Sequence, residues 1–217
     1  KPNENELKLL KSLQHQIPFE VFNTPYNSPK SNGTGRNRTN LRKAAALLKS
    51  AGWSIKNNRQ LINEKGELFT VEFLLDEASF ARIINPYIRN LERLGINATV
   101  RIIDVANFQN RLNIYDYDVI IRRYVQPNTP GIEQKTYFSS ETVNIPGSRN
   151  FAGIKNPAVD SLIDKIITAR NREDLKNATR ALDRVIMWNK FFIPQWYKGM
   201  HNIAYWDKFG QPEIRPR

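Results

Sequence analysis

Two adjacent arginines, Arg122 and Arg123, are the side chains in this sequence best suited to recognition chemistry. A guanidinium presents a rigid fork of donors that can meet a carboxylate or phosphate with two hydrogen bonds. The pair follows Tyr117 to Ile121, a segment rich in Val and Ile that reads as a strand. Tyr124, Gln126 and Asn128 come next in a loop, where polar and aromatic groups suit peptide hydrogen bonding and stacking. Two readings fit the arginines equally: an anion-binding pair at a strand end, or surface residues alternating across the sheet edge, one of them bonded to an acid of the same unit. Pro127, Asn128 and Pro130 are also good turn formers in their own right.

Covalent and metal chemistry has less to work with. There is no Cys, so a thiolate nucleophile and a Cys-based zinc site are excluded. His15 and His201 stand far apart without metal-ligand spacing, and no GxSxG motif accompanies them. Asp160 and Asp164, four residues apart on a helix, could form a carboxylate pair, but no third group converges by spacing and a solvated helix face accounts for them better. The expectation is a protein that is not an enzyme and needs no cofactor.

A net charge of +12 raises the possibility of a nucleic-acid partner. Most of the basic residues are mixed with acids, as in Lys165, Arg170, Arg172, Glu173, Asp174 and Lys176, which reads as solvated helix surface. One richer stretch, Lys30 to Lys49, carries Arg36, Arg38, Arg42 and Lys43 without an acid and reads as a surface basic arm. The expectation is no nucleic-acid partner, with a basic nucleic-acid-binding module as the alternative and a structural interaction domain as a third option. No run of apolar residues is long enough to span a bilayer.

The elements that would position these groups are legible from periodicity. Residues 1–38 read as an irregular, proline-punctuated arm in which Glu4 to Gln14 could form a short helix, and an arm of this kind is expected to lie across something outside the sequence. From residue 39 the pattern becomes α/β. Leu41, Ala44, Ala45 and Leu48 mark a helix stopped at Gly52, and Phe69, Val71, Phe73 and Leu75 alternate as a strand. A helix from Phe80 to Leu94 ends at Gly95, with a kink expected at Pro86. Ala98 to Ile103 is a second strand, Phe108 and Leu112 lie on a short helix, and Tyr117 to Ile121 is the third strand. This βαβ order makes the sheet at least partly parallel, with a ligand crevice beyond the strand C-termini near Asp76, Asp104 and Arg122. Two amphipathic helices, Pro157 to Ala169 and Arg172 to Trp188, complete a unit spanning 39–190. Residues 191–217 read as an extended aromatic tail in which Trp196 and Tyr197 are weak ligand candidates.

Four stretches in this order resemble the oligopeptide, dipeptide and nickel receptors among the periplasmic solute-binding proteins. They are the helix Leu41 to Trp53, the helix end Asn90 to Ile96, the strand Tyr115 to Ile121, and Asn156 to Asp164. Gly147 to Phe151 and Ala204 to Gly210 further resemble the Yej-type subgroup, associated with uptake of peptides and microcin C. The resemblance implies the second lobe of a two-lobed, type II binding protein, with a mixed, partly parallel sheet flanked by helices. The arm and the tail would then pack on a first lobe outside this sequence. It further implies a periplasmic oligopeptide receptor that hands its ligand to an ABC permease, and it places Arg149, Asn150 and Phe151 near the cleft, with Arg149 as a second anionic anchor. A turn made by Gly147 to Asn150 is the competing reading. The sequence departs from the family where an aspartate pairs with the peptide's amino terminus: Pro127 stands there, and no carboxylate occurs between Asp118 and Glu133. Arg122 and Arg123 would instead favour acidic or carboxylate-bearing ligand groups.

Overall fold

The computed structural model describes residues 1–56, 59–143, 145–200, 202, 204–206, 208, 210 and 213. The first elements are α1 (Glu4–Lys11), α2 (Glu20–Asn23), α3 (Arg38–Ser50), β1 (Ser54–Ile55), β2 (Leu61–Ile62), β3 (Thr70–Leu75) and α4 (Ala81–Glu92). After them come β4 (Asn97–Ile102), α5 (Val105–Asn113), β5 (Val119–Ile120), α6 (Glu133–Phe138), α7 (Pro157–Ile167) and α8 (Arg172–Asn189).

Three strands form a sheet in the order β4-β3-β5, with both neighbours of β3 parallel to it. The register sets Leu75 opposite Ile102 and Leu74 opposite Ile120, so the strand ends lie side by side. β5 is short because a side chain takes over its ladder: the Asp118 carboxylate accepts the Glu72 N–H at 2.9 Å. Alternation then sorts the residues of β3 between two cores. Phe73 and Leu75 pack with Ile84 and Ile88 of α4 and with Leu41, Ala44 and Leu48 of α3. Leu74 faces the other way, onto Phe108 and Leu112 of α5. Gly95, at φ +81°, ends the α4 turn where a Cβ would sit 2.8 Å from the Arg59 carbonyl, so glycine is required by both conformation and space.

A separate helical core is built on α7 and α8, whose N-termini are capped by Asn156 and Asn171 accepting backbone N–H groups. Val159, Leu162 and Ile163 of α7 meet Ala178, Leu182 and Val185 of α8. Leu10, Leu13, Ile17 and Val21 complete this core, with Leu10 and Val21 fully buried. Burying a side chain of this size contributes roughly 1.5–3 kcal/mol, which holds α1 against α8. The expected irregular arm is therefore corrected: residues 4–23 contain two helices and belong to this core, because their apolar residues recur at helical spacing and find a partner face within the chain.

Smaller differences have local causes. The strands are trimmed to Thr70–Leu75, Asn97–Ile102 and Val119–Ile120, and α6 and the β1–β2 hairpin are additions to the expected elements. Pro86 lies inside α4, and the Asn90 amide donates to its carbonyl at 3.2 Å. In the tail, Phe191 and Phe192 pack on the helical core, whereas Ile193, Trp196, Tyr197, Tyr205 and Trp206 are exposed. No helix among the described residues is long and apolar enough to cross a membrane.

Candidate functional site

The C-terminal ends of β3 and β5 bring Asp76 and Arg122 together, the Arg122 Nη1 lying 4.0 Å from an Asp76 carboxylate oxygen. Two aromatic rings hold the guanidinium: it lies 4.5 Å from the centre of Phe108, on α5, and 5.4 Å from that of Phe151. Cations at such distances over ring faces gain electrostatic stabilisation and lose freedom. Tyr117, at the other end of the same strand segment, donates to the Phe151 carbonyl at 2.9 Å and fixes that loop against the sheet. Burial lowers the Arg122 pKa, opposed by the nearby Asp76 carboxylate, and burial pushes the Tyr117 phenol up to about 12. Among the described residues the buried Arg122 Nε–H has no hydrogen-bond partner, and the side chain as a whole is 25% exposed. A held cation that stays part-exposed at a parallel-sheet edge is an arrangement able to take a carboxylate.

The remaining candidates divide sharply. Arg123, Gln126, Asn128 and Arg149 are exposed, and Phe151 is half-buried beneath Arg122. Gln126 accepts from the Gln134 amide at 2.7 Å, and the Asn128 carbonyl accepts from Arg172 at 3.4 Å, so the loop is tied to α6 and α8 while these side chains stay at the surface. Asn150 is a correction. It is 0% exposed, its amide donates to the Ser139 and Ile154 carbonyls, and its oxygen accepts the Ile154 N–H, leaving nothing for a ligand. Tyr124 is corrected as a stacking platform, because its ring is enclosed by Tyr137, Phe138, Phe151 and Phe192. That burial drives the Tyr124 pKa well up.

Asp76 and Phe108 form the seat of Arg122, whereas the sequence marks them only as a strand end and a residue of a short helix. The signal available was the register of a parallel βαβ unit, which aligns residue ends of successive strands. Asp160 and Asp164 act structurally: Asp160 accepts the Ser140 N–H at 2.8 Å, and Asp164 pairs with Lys135 at 3.5 Å. Among the described residues no group of acids and histidines is arranged to hold a metal ion, and His201 lies outside them.

Residues 11–144 match the family model for bacterial extracellular solute-binding proteins, family 5 Middle. The probable peptide-binding protein YejA of Agrobacterium fabrum is 42% identical over 215 residues, which cover 99% of this chain and 35% of that protein. This chain thus spans about a third of the relative's length. Among solved structures, the oligopeptide-binding protein AppA of Bacillus subtilis, in complex with a nonapeptide, superposes with a TM-score of 0.61 at 18% identity, covering 86% of this chain and 38% of AppA. NikZ of Campylobacter jejuni, in complex with Ni(L-His), gives 0.62 at 16% identity over 87% of this chain and 38% of NikZ. The fold is that of the type II periplasmic binding proteins, and the chain belongs to family 5 of the bacterial extracellular solute-binding proteins.

Proposed function

We propose that this chain forms one half of a peptide-binding clamp, the receptor component of an ABC importer, working in the periplasm with a membrane permease. The observation that carries the reading is Arg122, held between Phe108 and Phe151 at the strand ends with its side chain 25% exposed. A peptide carboxylate or an acidic side chain would complete it, with Arg123, Gln126, Asn128 and Arg149 around the rim. A peptide ligand is supported by the Agrobacterium relative, a probable peptide-binding protein, and by AppA, which is similar in fold and is in complex with a nonapeptide. The exposed Trp196, Tyr197, Tyr205 and Trp206 supply an aromatic surface suited to the other half of the clamp.

Calorimetry of the whole protein with short peptides tests the reading. Peptides with a free carboxyl terminus or an acidic side chain should bind more tightly than amidated neutral ones. The chain of 217 residues alone should bind weakly, since a single half pre-organises only one side of a ligand. Sub-micromolar binding by that chain alone would contradict the half-clamp, and a preference for amidated peptides would contradict the role of Arg122.

A further inference from the structure

Between Glu20 and Glu64 the sequence contains no acid, yet it carries eight cations. Eight positive charges and no negative ones give this segment +8 of the chain's +12, so the excess charge sits on one stretch. Lys30 and Arg36 lie in the loop before α3, and Lys56 and Arg59 flank the β1–β2 turn. On α3 itself, Arg38, Arg42 and Lys49 recur at helical spacing along one stripe, with Lys43 beside it. All eight side chains are exposed, and among the described residues none is paired with a carboxylate. The opposite side of α3 is committed to the sheet through Leu41, Ala44 and Leu48. The cationic face is therefore held rigidly outward.

We propose that this face docks onto a bilayer rich in anionic phospholipid. Burying so many unpaired cations against a protein surface would demand a matching array of acids, because a buried charge without a partner is strongly unfavourable. A hydrated headgroup layer meets the same charges without desolvating them, within a Debye length of about 10 Å. Apolar residues protrude among the cations: Leu47 on α3 is 66% exposed and Ile55 on β1 is 55% exposed. Isolated apolar side chains on a basic face suit the headgroup boundary, where they can insert shallowly while the cations stay wet. Phosphate-backbone recognition by a nucleic acid would use the cations and leave Leu47 and Ile55 unexplained, so the bilayer is the better match.

Cosedimentation of the whole protein with vesicles tests this, using equal parts of phosphatidylglycerol and phosphatidylcholine beside pure phosphatidylcholine. Binding is expected to the first at low salt, to be released by added salt, and to be absent with the second. Combining Arg38→Ser, Arg42→Ser, Lys43→Ser and Lys49→Ser should weaken partitioning about a hundredfold, since each cation near an anionic surface contributes several-fold. A charge-matched control, Lys155→Ser, Lys165→Ser, Arg170→Ser and Lys190→Ser, should stay within about threefold of the parent. Leu47→Ala should weaken binding by a smaller factor without altering its salt dependence. The proposal is overturned if the anionic vesicles are not bound at low salt, if the control loses as much as the patch variant, or if duplex DNA is held more tightly than the vesicles.

Discussion

Asn150 and Arg122 are near neighbours in the fold, linked through Phe151, and they show two different ways of holding a polar group out of water. Asn150 is sealed in the helical half, with its amide and its oxygen all used by the Ser139 and Ile154 backbone. Arg122, at the edge of the sheet half, is gripped by two rings and a long ion pair to Asp76, yet its side chain stays part-exposed. A fully satisfied buried group stabilises a fold, whereas an arginine left part-exposed at an edge keeps donors that a partner can reach. The interior asparagine is closed to any ligand and the strand-end arginine is not; unpaired buried atoms by themselves do not separate the two halves, since Arg184 Nε and Trp188 Nε1 of α8 are also buried without a hydrogen-bond partner among the described residues.

That contrast can be broken by mutation. The largest effect is expected for Asn150→Ala, which strands two carbonyls and an N–H in the interior and should cost about 3 kcal/mol or more, read as a fall in melting temperature of roughly 10 °C. Leu10→Ala should cost about 2–4 kcal/mol in urea denaturation, because α1 is part of the core. A near-neutral Leu10→Ala would restore the reading of residues 1–38 as a loose arm. Asn171→Ala removes the cap of α8 and should cost about 1 kcal/mol. The smallest effect concerns pH. The Tyr117 phenol is raised from 10.0 to about 12 by burial, so the stability tied to its neutral form is complete below the ordinary tyrosine range and is lost as pH rises through 10.0 to about 12. Spectrophotometric titration should show Tyr117→Phe removing a late-ionising tyrosine; an unchanged late phase would place that tyrosine elsewhere.

The sheet and its flanking helices were legible because each carries a clean period. Phe73 and Leu75 alternate with Leu74, and the α7 and α8 stripes repeat every three to four residues. The first helices were misjudged because Pro18 and Pro25 drew attention to breaks, whereas Leu10, Leu13, Ile17 and Val21 declare their purpose only when α8 is present to receive them. At the site, the strand end and Arg122 followed from topology. The fates of Asn150 and Tyr124 did not, since an Asn in a Gly147-led loop and a Tyr after a strand look alike whether they face solvent or neighbouring rings. Burial of that kind depends on contacts distant in sequence, such as Tyr124 with Phe192.

Whether the strand end holds the ligand is decided by the peptide affinity of the whole protein carrying Arg122→Ala or Arg123→Ala, measured by calorimetry with melting temperatures in parallel. Losing a charge-assisted hydrogen bond to a ligand carboxylate costs about 1.5–3 kcal/mol, so Arg122→Ala should weaken binding roughly tenfold to a hundredfold. The exposed Arg123 should change it by no more than about threefold when replaced, since a solvated charge at the rim contributes little. Unchanged affinity in Arg122→Ala, with its melting temperature close to that of the parent, would show that the ligand site is not at this strand end.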